Sequence, residues 1–521
     1  MSAAADALSR AASAAVRPTL GSPPLHGVER LGRDFAPTYL EHHAVLPLRR
    51  DGNRLLVGTW REVVDPQVLD DLRLAFAAEV ELVPVAEADA RNAIRRVYEE
   101  ETSARGLIAC IGGGGEGGGP EDLPLDDLVS LANEAPVVRL VNLLLLEALE
   151  ARASDVHIEG YSHGLRVRYR VDGVLTDAPS PPAHLMPAVI SRLKIMAELD
   201  IAERRVPQDG RIRLRLQDRD VDVRVATLPT LHGESIVLRL LDAGGGHVSL
   251  DRLGMGADTL ERFAGVIGRP HGIVLATGPT GSGKTTTLHA AVDRIRTGRE
   301  KILTVEDPVE YQLEGVPQVP VNEKVGVTFA TALRALLRQD PDILLVGEIR
   351  DGETAEIATQ AALTGHLVLS TLHTNDAPSA LTRLLDLGVA PYLVASTVEA
   401  VLAQRLVRRI CDACREAVPA PAGWREASAA GGRPAAEPPR DVWRGRGCSS
   451  CAGTGYRGRT GLYELLVLDD ALRAELVQRR DTGALRRLAI EHGMRTLFED
   501  GLRLVRAGVT TLDEVLRVTR G

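Results

Sequence analysis

The chain is 521 residues long, with 44% hydrophobic and 26% charged side chains and a formal net charge of −9. At about 150 residues per domain this length makes three or four domains, and the composition excludes a disordered, collagen-like or disulfide-framework chain. Neither sign of charge forms a long block, so a nucleic-acid coat and a polybasic membrane anchor are unexpected, and no nucleic-acid partner is predicted.

Residues 1–26 are Ala-rich but carry Asp6, Arg10 and Arg17, without the apolar core of an export signal, and read as a flexible tail. Residues 27–105 form a small α/β domain, with strands expected at 45–48, 55–58 and 79–83 and helices at 66–77 and 88–100. A linker follows at 106–124, whose glycine run at 112–119 has no side chains to pack. A second α+β domain spans 125–245: a helix at 136–152, strands at 156–159, 165–171 and 174–176, a helix at 184–199, then strands at 211–216, 220–227 and 235–241. Asp172-Gly173 between two of these strands is a hairpin signal. The most apolar stretch, 137–151, is interrupted by Arg139 and Glu147 and falls short of the roughly 20 residues of a spanning helix, so the chain reads as cytosolic.

From 246 to 408, apolar strands at 272–276, 302–305, 343–346 and 367–371 alternate with helical segments, the pattern of a mostly parallel sheet. Residues 409–460 carry four cysteines, and the Ala-, Pro- and Arg-rich span 415–447 within them reads as a mobile loop. Residues 461–521 read as helical.

Gly278-Pro279-Thr280-Gly281-Ser282-Gly283-Lys284-Thr285 follows the strand at 272–276 and precedes a helix-compatible segment beginning at Thr286. Glycines at these positions let backbone N–H groups wrap a pyrophosphate, and the helix start adds positive potential. Lys284 is placed to neutralise the outer phosphates, and Thr285 to ligate Mg²⁺. Because lysine occurs only at 194, 284, 301 and 324, a chance match is improbable.

Such a loop needs carboxylates at neighbouring strand tips. Glu348 ends the strand at 343–346 and Glu306 the strand at 302–305, with Glu310 shortly beyond. Glu348 is expected to support the metal and the attacking water, and Glu306 to orient that water as the base. His366 and His373 bracket the strand at 367–371, and His366, preceded by Thr364-Gly365, is expected to sense the γ-phosphate. Arg334, Arg338 and Arg350 cluster near the Glu348 strand, while Arg224 and Arg239 lie on strands of the second domain. Phosphoryl transfer often takes an arginine from a neighbouring subunit, which points to a ring.

Cys411 and Cys414, with Cys448 and Cys451, form two C-x₂-C pairs separated by the 33 residues 415–447. Four thiolates close a tetrahedral zinc shell, which makes the expected site structural. Cys110 has no partner of this kind.

In this order, residues 278–285, 304–310, 338–342 with 346–351, and 364–375 resemble the Walker A, Asp box, Walker B and His box of the secretion ATPases of type II and type IV pilus systems. Residues 153–159 and 205–211 resemble that family's second N-terminal domain, so the resemblance covers roughly 125–521. The four cysteines and the single small N-terminal domain look most like the type II branch, general secretion pathway protein E. The resemblance implies a RecA-like P-loop domain preceded by a PAS-like α+β domain, with ATP and Mg²⁺ as substrate and cofactor and Zn²⁺ in the cysteine segment. It implies a cytoplasmic homohexamer, attached peripherally to the inner membrane, that turns ATP hydrolysis into pseudopilus assembly and protein export. Its implied partners are an inner-membrane platform protein and a bitopic assembly protein held by residues 27–105. Arg224, Arg239, Arg334, Arg338 and Arg350 are the implied inter-domain or trans-acting set. A pilus-extension ATPase is the alternative, and a nucleic-acid translocase a more distant one.

Overall fold

The computed structural model describes residues 35, 37–61, 63–94, 104, 108, 135–162, 164–216, 219–242, 248–421, 424–425, 437–478 and 481–519. The tail at 1–26, the glycine run and Cys110 lie outside the described residues. The chain divides into two compact units, Met1–Asp242 and Ala243–Gly521.

The first unit begins with α1 (Pro37–His43) and a three-stranded sheet of β1 (Val45–Asp51), β2 (Arg54–Thr59) and β3 (Glu79–Pro84). β1 and β2 pair antiparallel, but β2 and β3 run parallel, which requires a crossover, supplied by α2 (Pro66–Phe76). Asp65 caps α2 by accepting from the Gln67 N–H, and Pro66 takes the first helical position. α3 (Glu87–Ile94) follows β3, and the module buries Leu55, Val57, Val68, Leu72 and Phe76.

The second domain opens with α4 (Ala135–Glu150), then β4 (Ala153–Tyr161), β5 (Gly164–Val171), β6 (Val174–Asp177), α5 (Met186–Met196), β7 (Gln208–Leu216), β8 (Arg219–Thr230) and β9 (Gly233–Asp242). The strands form an antiparallel sheet in the order β6-β5-β4-β9-β8-β7. One face packs Val156, Ile158, Val223 and Leu238 against Leu140, Leu144 and Leu193 of the two helices. The two-residue strand period leaves the opposite face for polar residues. There Arg170, Asp155, Arg239, Arg224 and Arg211 stand in one cross-strand row. Lys194, one of only four lysines, is 1% exposed and pairs with Glu234 at 2.6 Å while donating to the Glu203 carbonyl.

The second unit starts with α6 (Ala257–Ile267), β10 (Gly272–Thr277), α7 (Lys284–Ile295), β11 (Ile302–Glu306), β12 (Gln318–Pro320) and α8 (Phe329–Leu336). It continues through β13 (Ile343–Val346), α9 (Gly352–Leu363), β14 (Leu367–Leu372), α10 (Ala377–Asp386), α11 (Pro391–Thr397), β15 (Val398–Ile410), β16 (Arg415–Pro419), β17 (Asp441–Gly445) and β18 (Tyr456–Val467). Four helices end it: α12 (Asp470–Val477), α13 (Thr482–Glu491), α14 (Leu497–Arg506) and α15 (Leu512–Thr519). The sheet order is β12-β11-β13-β14-β10-β15-β18, parallel throughout except for the antiparallel edge strand β18. Every residue of β10, β13 and β14 is buried, as expected for parallel strands covered on both faces. α6 and α7 cover one face and α8 to α11 the other.

The structure corrects two expectations. The strands β15 and β18 are long and were not anticipated: the first seven residues of β15 are all buried, which hides any two-residue alternation in the sequence. Residues 415–447 are not simply a loop, because β16 and β17 pair antiparallel at its two ends and Trp424 between them is 1% exposed. Charged, short strands such as REAVP and DVWRG carry little hydrophobic signal.

Two buried carboxylates tie the C-terminal helices to the sheet. Glu464 of β18 accepts from the Ala377 N–H at 2.8 Å and the Leu497 N–H at 3.2 Å, so one side chain caps the starts of both α10 and α14. Glu514 of α15 accepts from the Arg408 guanidinium at 2.6 Å, the Arg408 N–H at 3.1 Å and Arg517 at 2.8 Å. Burial works to raise the Glu514 pKa, but these donors outweigh it and hold it at about 2. A depressed folded pKa stabilises above the unfolded value and is lost as pH falls toward the folded one. Glu514→Gln should therefore flatten the acid side of the stability profile between about pH 5 and pH 2, a loss of up to about 3 kcal/mol in the parent, read by urea unfolding at stepped pH.

Candidate active site and metal centre

Beyond Thr277 the chain turns through residues 278–283 into α7. Gly278 has φ 149°, and a Cβ there would meet the Gln404 carbonyl at 2.5 Å. Gly283, which precedes α7, has φ 88°. Neither position accepts a side chain without strain. β15 supports the loop from behind, since Gln404 Nε2 donates to the Ser282 carbonyl at 2.7 Å. Pro279, Thr280, Gly281 and Thr285 are exposed along the crest, Thr286 and Gly283 are half-buried, and Gly278, Ser282 and Lys284 are buried.

Lys284 Nζ donates to the carbonyls of Gly278 at 2.8 Å and Pro279 at 3.2 Å, so the loop closes around its own ammonium. Burial lowers the Lys284 pKa to about 8, with the Arg405 charge adding to the shift and Glu348 opposing it.

Glu348, just past β13, is the acid that shares this electrostatic environment. Its Oε1 accepts from Arg350 at 2.5 Å and its Oε2 faces His373 Nε2 at 3.2 Å. Burial would raise its pKa, but Arg350 and His373 outweigh that and hold it below the ordinary carboxylate range. β14 separates the Glu348 strand from the loop strand, and His373 follows it at the same sheet edge.

Glu306 is placed differently. It is 3% exposed, and both oxygens are engaged: Oε1 by Thr304 at 2.8 Å and Gln318 at 2.9 Å, Oε2 by His289 at 3.0 Å. Burial raises its pKa and these donors lower it further than burial raises it. In this conformation both carboxylate oxygens are bound into the wall between α7 and β12. Glu310 is half-buried further along that segment.

His366 is not brought to the phosphate loop. It precedes β14 and its carbonyl accepts from the Gly272 N–H at the start of β10, whereas the loop leaves the other end. Six parallel residues separate the two edges, roughly 20 Å. The histidine at the loop edge is His373. His366 instead places Nδ1 2.8 Å from the Ala361 carbonyl behind α9.

Among the arginines, Arg350 joins the site, reaching Asp307 at 3.6 Å as well as Glu348. Arg334 pairs with Glu353 at 2.6 Å and Arg338 donates to the Arg334 carbonyl, both on the surface. Arg239 pairs with Asp155 at 2.9 Å within the first unit, where Arg224 is its neighbour in register. His289, Gln318 and Gln404 were not singled out from the sequence. No motif marks them, because each acts through a strand or helix distant in the chain.

The four cysteine sulfurs lie within 4.8 Å of one another, with Cys411–Cys448 and Cys414–Cys451 at 3.9 Å and Cys448–Cys451 at 3.7 Å. Tetrahedral Zn–S bonds of about 2.3 Å place sulfurs about 3.8 Å apart, so the donor set fits zinc and the spacing excludes disulfides. Burial opposes ionisation of Cys451, yet backbone N–H donors from Cys448 and Gly455 bring its thiol down to about 6.

Residues 130–517 match the family described as Type II/IV secretion system protein, and residues 24–104 match the MshEN domain. The chain belongs to the Type II/IV secretion system protein family. It is 53% identical over 401 residues to the Type II secretion system protein HxcR of Pseudomonas aeruginosa, covering 77% of this chain and 81% of that one. It is 47% identical over 444 residues to the Type II secretion system ATPase E of Vibrio cholerae, covering 84% and 87%. The fold is shared with the Legionella pneumophila ATPase DotB, at a TM-score of 0.54 and 20% identity over 78% of this chain and 99% of that one. The secretion-ATPase resemblance read from the motifs is thereby borne out.

A methyl group at the loop's first glycine tests the geometry directly. Gly278→Ala should weaken binding of a fluorescent ATP analogue by more than about tenfold, while Thr280→Ala on the open crest should change it by less than about threefold.

Proposed function

We propose that this chain is the ATPase of a type II secretion system, which hydrolyses ATP to ADP and phosphate and drives pseudopilus assembly and protein export. The observation that carries this reading is Lys284 and Glu348 sharing one environment at the tips of β10 and β13, above a glycine loop, in a chain of the secretion family. Lys284 and the loop N–H groups hold the phosphates, and Thr285, exposed beside Lys284, offers the hydroxyl for Mg²⁺. Magnesium, when bound, would supply positive charge against the phosphates. Glu348 supports the metal's water shell and orients the attacking water, the second task passing to it because the oxygens of Glu306 are occupied. His373 and Arg350 hold the Glu348 carboxylate in place.

The working form is a homohexamer in which Arg224 and Arg239 face a neighbouring protomer's nucleotide. No helix among the described residues is long and apolar enough to cross a membrane. We assign attachment to the inner membrane to partners: a platform protein, and a bitopic assembly protein held by residues 27–105. Zn²⁺ on Cys411, Cys414, Cys448 and Cys451 braces the segment that returns β15 to β18.

Steady-state phosphate release tests the chemistry. Lys284→Ala should abolish turnover, Glu348→Gln should lower kcat by about a hundredfold or more, and Glu306→Gln by less than about tenfold. Equal losses for both glutamates would return the base role to Glu306. For the cysteine site, Cys448→Ser with Cys451→Ser should remove one equivalent of zinc per chain by elemental analysis and lower the melting temperature by several degrees.

A further inference from the structure

We propose that Arg405 is a second cation for the terminal phosphate of the bound nucleotide, contributed by the same chain as Lys284 and aimed by Asn375. The proposal deepens the reading of residues 278–285 as a triphosphate site and rests on it.

The argument begins with register. β15 runs parallel to β10, and their last paired residues are Ala403 and Thr277, so Gln404 and Arg405 stand level with the first residues of the phosphate loop. Successive side chains on a strand point to opposite faces. Gln404 takes the α7 face and bonds Ser282; Arg405 takes the other face. From there Arg405 Nη2 donates to Asn375 Oδ1 at 2.9 Å. Asn375 follows Thr374, whose N–H donates to Thr277 Oγ1 at 2.9 Å, and lies two residues beyond His373. The guanidinium therefore spans the end of β10, from β15 to the segment after β14. That segment also carries the histidine touching Glu348, which places Arg405 on the γ-phosphate side of the loop.

The charges there are unbalanced. Arg405 is half-buried, its Nε is fully buried without a hydrogen-bond partner, and no carboxylate lies within 4 Å of it among the described residues. Burial lowers its pKa and no acid raises it. Among the described residues its hydrogen-bond partner is the neutral Asn375 amide oxygen. Nearby, Glu348 already has one oxygen on Arg350 and the other on His373, so it cannot fully offset Lys284 as well. Holding a guanidinium out of water without a counter-charge costs free energy, which a polyphosphate would restore by bridging Arg405 and Lys284. A planar guanidinium also suits two phosphate oxygens at once, which an ammonium does not.

The test uses the full-length protein and measures affinity for ADP and for a non-hydrolysable ATP analogue, together with kcat and KM. Arg405→Gln should weaken analogue binding by about tenfold or more and ADP binding by less than about threefold. kcat should fall in step, and Arg405→Lys should recover only part of each loss. Asn375→Ala, which removes the anchor but keeps the cation, should show the same ATP-selective loss at smaller size. Equal losses for ADP and analogue would overturn the proposal, marking Arg405 as a brace of the loop; so would affinities within twofold of the parent. If Arg405→Gln fails to fold by its melting curve, Arg405→Lys with Asn375→Ala decides in the same terms. A parent protein that binds neither nucleotide would instead sink the underlying triphosphate reading.

Discussion

A run of backbone N–H groups faces an anion only if the same backbone is held from behind. Here that support is β15. Gln404 bonds the Ser282 carbonyl, and its own carbonyl fills the space where a side chain at Gly278 would sit. That contact adds to the bonds from Lys284 to the Gly278 and Pro279 carbonyls in fixing the loop. The parallel order of β15, β10, β14 and β13 then brings Arg405, the loop, His373 and Glu348 to one sheet edge. Only the sheet brings these residues to one edge, because its strands lie far apart in the chain.

Motifs whose function depends on local sequence were legible in advance. The loop at 278–285, the glutamate ending the 343–346 strand, and the four cysteines all carry their spacing in the chain itself. Helix starts carry local marks that were not read from the sequence: Asp351, Asp376, Asp469, Asp481 and Thr496 each accept from a backbone N–H of the first turn. What the sequence hid depends on three-dimensional register. His366 and His373 look equivalent in the chain, yet they stand at opposite ends of β14, and only pairing with β10 decides which one lies at the edge of the glycine loop. Glu306 looks like a free strand-tip acid until α7 and β12 supply His289 and Gln318 to engage it. β15 was missed because a strand buried on both faces has no alternation to read.

The cysteine segment shows how a charged, weakly apolar stretch is kept ordered next to a dense core. β16 and β17 contribute little burial of their own, but Arg415 stacks on Trp443 and Trp424 sinks into the main core. The backbone enters this segment from β15 and returns through β18, with the Cys411 N–H donating to the Gly455 carbonyl at 2.9 Å. A metal held by these sulfurs would lock the β15–β18 turn to the strand that backs the phosphate loop. β15 thus connects the cysteine segment with the residue that backs the phosphate loop.

The Glu464 carboxylate has one further consequence. Because a single side chain terminates both α10 and α14, those two entrances form one mechanical joint. Sliding either helix away would strand amide protons in a dry interior and uncover a lone acid, whose pKa burial already raises. One carboxylate thus ties the starts of α10 and α14 to β18.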